Sequence, residues 1–200
     1  ITGATSTCSS STPILCLGLS QAVFEGGVYT FVFLWVKVLA MFLPDGKVPT
    51  GLVMTCFMLS MTIGGSASAV MQPMFPGSSH GLSVFIYAIS AVAMAIPTYY
   101  FSFAPVFVAM LVLEAMVGMF NACGATLRSK YYPEAQQSAI MCMFRVPLNA
   151  LVVVGTRLSD YANDTESIKG VFMLIAGMHT VAMALQMYLN VVTKERRKRE

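Results

Sequence analysis

Six apolar stretches, each long enough to cross a bilayer and separated by short turns, constrain this chain more than any other feature. A helix needs about 20 mainly apolar residues to span the hydrocarbon core. The stretches predict spans at Ile14–Leu39, Thr50–Met71, Leu82–Tyr99, Phe103–Leu127, Ser138–Leu158 and Gly170–Val192. Turn chemistry marks the breaks, with Pro44-Asp45-Gly46 after the first span and Gln72-Pro73-Met74-Phe75-Pro76-Gly77 after the second. The link through Thr98-Tyr99-Tyr100-Phe101-Ser102 is short enough to make spans three and four an antiparallel hairpin, with its aromatics at headgroup level. Composition agrees. The chain is 56% hydrophobic and 10% charged, with a mean hydropathy of +0.72, whereas soluble domains carry about 25% charged residues. A soluble core of this size cannot hide so much apolar surface. The expected fold is all-α, a polytopic membrane protein of six transmembrane helices.

The flanks differ from the spans. Residues 1–12 are Ser/Thr-rich without a basic residue and read as a linker remnant, and an opening Ile1 marks the chain as a fragment or processed product. Residues 13–193 form the expected bundle, and residues 194–200 a basic tail. Five of the twelve basic residues fall in that tail, Lys194-Glu195-Arg196-Arg197-Lys198-Arg199-Glu200. Directly after an apolar span, such a run anchors beside anionic lipid rather than on nucleic acid. With the tail inside, six spans put both termini in the cytoplasm. The inner segments then hold Arg128, Lys130 and the tail, and the outer loops hold Lys37, Lys47, Arg157 and Lys169. Seven basic residues inside against four outside is the sign the positive-inside bias requires. Asn163-Asp164-Thr165 fits a glycosylation acceptor and falls outside under this assignment. The expected location is the plasma membrane.

Three ionisable side chains, Glu25, Glu114 and Arg145, lie well inside spans, where each is costly unless paired or wetted. At 1.5 Å per residue each is roughly 10–17 Å from a surface, near the midplane. Each sits on a polar stripe. Gln21, Glu25 and Tyr29 share a face of span one; Glu114, Gly118 and Asn121 share one of span four; Ser138, Arg145 and Asn149 share one of span five. Pro147 frees the carbonyl of Met143 and bends that last helix. Stripes converging at one depth predict a cavity wall. Two carboxylates against one guanidinium leave one Glu without a partner, and such a group in low dielectric tends to hold a proton. The alternative is an ion pair that only fixes helix packing. A midplane site with an anion-binding Arg and a protonatable Glu favours transport.

Other features read as structural. Gly64-Gly65-Ser66-Ala67-Ser68-Ala69, and Gly118 with Ala122, are small-residue faces for close helix packing. His80 falls in a loop, and His179 near a helix end reads as a satisfied structural group. Sixteen methionines are spread as apolar filler, and five scattered cysteines have no metal-ligand spacing. With no phosphate loop, catalytic triad or zinc spacing, neither an enzyme nor a cofactor nor a metal site is expected.

Phe24-Glu25-Gly26-Gly27-Val28-Tyr29-Thr30-Phe31-Val32-Phe33-Leu34-Trp35 resembles the seventh helix of the molybdate-anion transporter family, a branch of the major facilitator superfamily. Leu113-Glu114-Ala115, Leu127-Arg128-Ser129-Lys130 and Pro133-Glu134 continue the resemblance, and Phe144-Arg145-Val146-Pro147-Leu148 is similar to that family's eleventh helix. Together these motifs anchor residues 18–158. The resemblance implies that the six spans are helices seven to twelve of a twelve-helix fold, whose two halves enclose a central site reached alternately from each side. Helices seven, ten and eleven border that site. It also implies molybdate, a tetrahedral oxyanion, as substrate, with Arg145 as its ligand through a planar fork of donors. Glu114 or Glu25 would hold Arg145, and the other would carry a coupling proton, a role the family pattern does not itself supply. The amino-terminal half is then the missing partner. Another small solute, a sugar or organic anion, on the same scaffold and a non-transporting membrane sensor or scaffold are the alternatives.

Overall fold

The computed structural model describes residues 12–75 and 77–199, with side chains as far as Thr193. The linker reading of residues 1–12 therefore lies outside the described residues but for Thr12, as do Cys8, Pro76 and the side chains of the 194–200 tail. Six long helices account for nearly everything described: α1 (Thr12–Ala40), α2 (Thr50–Met71), α3 (Ser79–Tyr99), α4 (Phe103–Tyr131), α5 (Gln137–Tyr161) and α6 (Thr165–Arg199). Short 3-10 turns, Gln72–Met74 and Glu134–Gln136, lead out of α2 and into α5. All six helices are long and apolar enough to cross a membrane. The described residues contain no strand.

Each predicted span has its helix, and most helices run past the apolar stretch. α4 continues four residues beyond Leu127, and α6 begins at Thr165 rather than Gly170. Arg128, Lys130, Lys37, Arg157 and Lys169 accordingly sit on helix ends and not in loops. Long basic side chains can reach water while their stems stay on the helix, so a charge need not end a span. His80 is likewise not a loop residue. It is buried in the first turn of α3, with Nε2 2.8 Å from the Tyr131 hydroxyl and Nδ1 3.2 Å from Gln186 Nε2, which ties α3 to α4 and α6. His179 lies mid-helix in α6, fully buried, with its ring 4.7 Å from that of Phe24.

Around the bundle the helices follow the order α2, α4, α3, α6, α1, α5, each packed on the next. α1 and α4 also meet lightly across the middle, where Phe24 lies 4.6 Å from Phe120 and 5.0 Å from Tyr87 between ring centroids. α2 docks almost wholly on α4. Gly64 abuts the backbone of Ala115, and Gly118 abuts that of Met61, so no side chain intervenes between the two helices. This is the close approach that small residues permit inside membranes. α2 and α5 sit at the two ends of the series and are the least covered helices. Leu52, Leu59, Ile63 and Val70 of α2 and Val146 and Val153 of α5 are exposed. At one end of the bundle, Phe42, Phe101 and Phe103 cluster beside the α3–α4 hairpin, in the manner of an interfacial aromatic girdle.

Candidate functional site

Between α1 and α5, and bordered by the last turn of α4, the bundle holds a cavity of about 410 Å³. The stripe on α1 supplies Gln21, Glu25 and Tyr29; α5 supplies Arg145 and Asn149; α4 supplies Arg128. The four-residue spacing of the α1 and α5 groups puts each set on one helix face, so regular geometry alone aims them at the same space. A second, smaller cavity of about 260 Å³ adjoins it, and Glu25, Tyr29 and Asn121 line its wall. Glu25 and Tyr29 border both. Six of the seven side chains expected at the site thus border one of two neighbouring cavities.

Glu114 does not. It is buried on α4, lines neither cavity, and makes no hydrogen bond or ion pair with any described residue. The reason is helix packing. α2 crosses α4 at Ala115 and Gly118, so this turn of the stripe is covered by a neighbouring helix. The expected pairing with Arg145 is also corrected. Among the described residues the one ion pair within 4.0 Å is Lys169 with Glu166, at 2.9 Å near the start of α6. No carboxylate touches Arg145, whose guanidinium is exposed to the cleft without a hydrogen-bond partner among the described residues.

Arg128, assigned from the sequence to an inner loop, is the cavity-lining charge that reading missed. It occupies the last turn of α4, and its Nη1 donates to Gln21 Oε1 at 3.1 Å. A signal for it was present, because Glu114, Asn121 and Arg128 recur every seven residues and so share a helix face. The site therefore holds two guanidiniums and one carboxylate, the reverse of the count expected from the spans. Glu25 feels Arg128 and Arg145 through space without contacting either. The described residues hold no group of three or more His, Cys, Asp or Glu placed to hold a metal ion, and the four described cysteines are free.

Six apolar helices with a polar, cationic cleft between them define a polytopic membrane protein. Residues 1–124 match a family model described as sugar transporters with twelve transmembrane spans. The molybdate-anion transporter of Xenopus laevis is 30% identical over 187 residues, which cover 85% of this chain and 40% of that protein. That of Takifugu rubripes is 32% identical over 156 residues, 71% of this chain and 30% of the relative, and that of Danio rerio 28% identical over 148 residues. The chain belongs to the molybdate-anion transporter family of the major facilitator superfamily. It spans about 40% or less of the length of the curated relatives it matches. No solved structure matches it significantly.

Proposed function

We propose that this chain forms the carboxy-terminal six-helix half of an oxyanion transporter, with molybdate as its substrate and Arg145 as a substrate ligand. The observation that carries the reading is the exposed guanidinium of Arg145 deep in α5, unpaired among the described residues, beside Asn149 and across from Glu25. A bare cation at that depth is too costly in lipid, so its face of α5 meets water or a second bundle. An arginine fork matches a tetrahedral oxyanion through two parallel donors. The names of the relatives support molybdate as the anion.

Alternating access then requires the missing amino-terminal half as the other wall of the cleft. The short share of each relative that the chain covers supports this reading. In it both termini lie in the cytoplasm, the Asn163 sequon faces outward, and the membrane is the plasma membrane. The description of the matching family model favours a second reading, in which a neutral sugar occupies the same cleft. A sugar gives the Arg145 charge no counter-charge.

Uptake of labelled molybdate by the full-length protein in proteoliposomes tests this. Arg145→Ala abolishes uptake, and Arg145→Lys leaves it strongly impaired, because an ammonium cannot reproduce the bidentate fork. Normal uptake in both variants removes Arg145 from the site. Sugar uptake without anion uptake transfers the assignment to the second reading. Molybdate binding without flux in the intact protein makes it a sensor.

A further inference from the structure

The anion reading uses one guanidinium, and the cavity holds two. Arg128 is fixed in place. Its Nη1 donates to Gln21 Oε1 at 3.1 Å, and Gly124, one turn earlier, leaves the room it fills, since a Cβ there would lie 3.1 Å from both Arg128 Nη1 and Gln21 Nε2. Gln21 Nε2 lies over Gly124 as well, enclosed between α1 and α4 beside the Arg128 guanidinium. Gln21 is only 6% exposed, and that Nε2 has no hydrogen-bond partner. Arg145 offers further unpaired donors on the α5 wall of the same cavity.

We propose that Arg128, held by Gln21, and Arg145 together clamp a tetrahedral dianion, and that Glu25 accepts one proton as the dianion enters. The inference rests on the anion-transport reading and adds its charge rule. Around Glu25 stand Gln21 and Tyr29 of α1, Arg128 and Asn121 of α4, and Arg145 and Asn149 of α5. His179 of α6 and Tyr87 of α3 lie behind, packed on Phe24. Two arginines and an ionised Glu25 leave the empty cleft with a formal charge of plus one. A dianion brings it to minus one, and a proton on Glu25 returns it to zero, the state that a low-dielectric cleft favours. A monoanion reaches zero with no proton. The step is simple: a Glu25 carboxylate oxygen takes a proton from water on the loading side and returns it to water on the release side. The arginines stay charged throughout, because guanidinium does not deprotonate in proteins.

The test compares molybdate with perrhenate, a tetrahedral monoanion, in proteoliposomes holding the full-length protein. Both are measured at mildly acidic and mildly alkaline pH, within the range where molybdate stays a dianion. Molybdate uptake rises on the acidic side and acidifies the lumen, while perrhenate uptake, or its competition with molybdate, does neither. Glu25→Gln removes the pH dependence and the acidification. Arg128→Gln raises KM for molybdate about tenfold or more, the scale of one lost charged hydrogen bond, and Arg128→Lys restores part of it. Equal pH dependence for the two anions, an unchanged molybdate KM in Arg128→Gln, or perrhenate that neither enters nor competes overturns the charge rule. If Arg145→Ala still abolishes uptake in those cases, the transport reading stands without it. An intact protein that moves no anion overturns both.

Discussion

Gly118→Ala is the sharpest test of how α2 is held. A Cβ at Gly118 would lie 2.8 Å from the Met61 carbonyl carbon and 2.9 Å from the Gly65 amide nitrogen, and it would press on the Met61 carbonyl oxygen. All three are backbone atoms, so no side chain can swing aside. Relieving even the 2.8 Å approach to ordinary contact at 3.4 Å requires α2 to move away from α4 by at least about 0.6 Å. α2 has almost no other neighbour in this bundle, so the movement loosens its whole attachment. Overpacking of this kind costs about 1–3 kcal/mol, opposed by at most about 1 kcal/mol from the better helix propensity of Ala. Gly65→Ala is the control. Its Cβ meets nothing closer than 3.7 Å, so propensity alone acts there and the change is neutral or slightly stabilising. Thermal unfolding of the full-length protein in detergent reads the difference, and faster thiol labelling of half-buried Cys56 on α2 reports the detachment directly. A Gly118→Ala protein that melts at or above the parent, or no lower than Gly65→Ala, refutes the argument.

Two further predictions concern the ends of α5 and α6. Lys37 Nζ, from α1, donates to the carbonyls of Ser159 and Ala162 at 2.9 Å each and to Asn163 Oδ1 at 3.1 Å, so it caps the C-terminus of α5. Lys37→Met keeps the stem and loses these bonds, costing about 1–2 kcal/mol after allowance for partial exposure. Faster proteolysis between α5 and α6 reports it, and cleavage at the parental rate counts against the cap. At the start of α6, Asp164 accepts from the Ser167 hydroxyl at 2.5 Å and from the backbone N–H groups of Glu166 and Ser167. These bonds, the Ser167 hydroxyl foremost, hold its carboxyl below the ordinary aspartate range. Because the folded value is the lower one, the stabilisation is complete above the ordinary aspartate range and fades as pH falls through the depressed value. Asp164→Asn flattens that acid-side loss of melting temperature, and an equal acid-side loss in both proteins refutes the assignment.

The spans were legible because lipid imposes a length and an apolar composition that a sequence displays directly. Helix ends were not. A hydropathy reading stops at the first charge, yet the α-helical backbone continues wherever its side chains can reach water. That is how Arg128 came to be assigned to a loop, although it continues the seven-residue register of Glu114 and Asn121. Depth and helix face were legible for Glu114 too, but neither reveals which neighbouring helix covers that face. The covering is decided by Gly64 of α2 against Ala115 of α4, a contact between segments about fifty residues apart whose only sequence trace is a run of small residues.

The two kinds of exposed surface on α5 carry the rest of the argument. Arg145 and Asn149, four residues apart, share one face, while Val146 and Val153, seven apart, share another. Lipid can solvate the second face and cannot solvate the first. The same division holds on α4, where Asn121 is exposed and borders the smaller cavity. Exposed polar groups in the middle of helices whose neighbouring exposed positions are largely apolar would be a defect in an isolated bundle. They are consistent with one another if α4, α1 and α5 form one side of a wet cleft. On the function proposed above, the two guanidiniums, neither ion-paired with a carboxylate among the described residues, are not stray charges, because an anion in the cleft is the partner they lack.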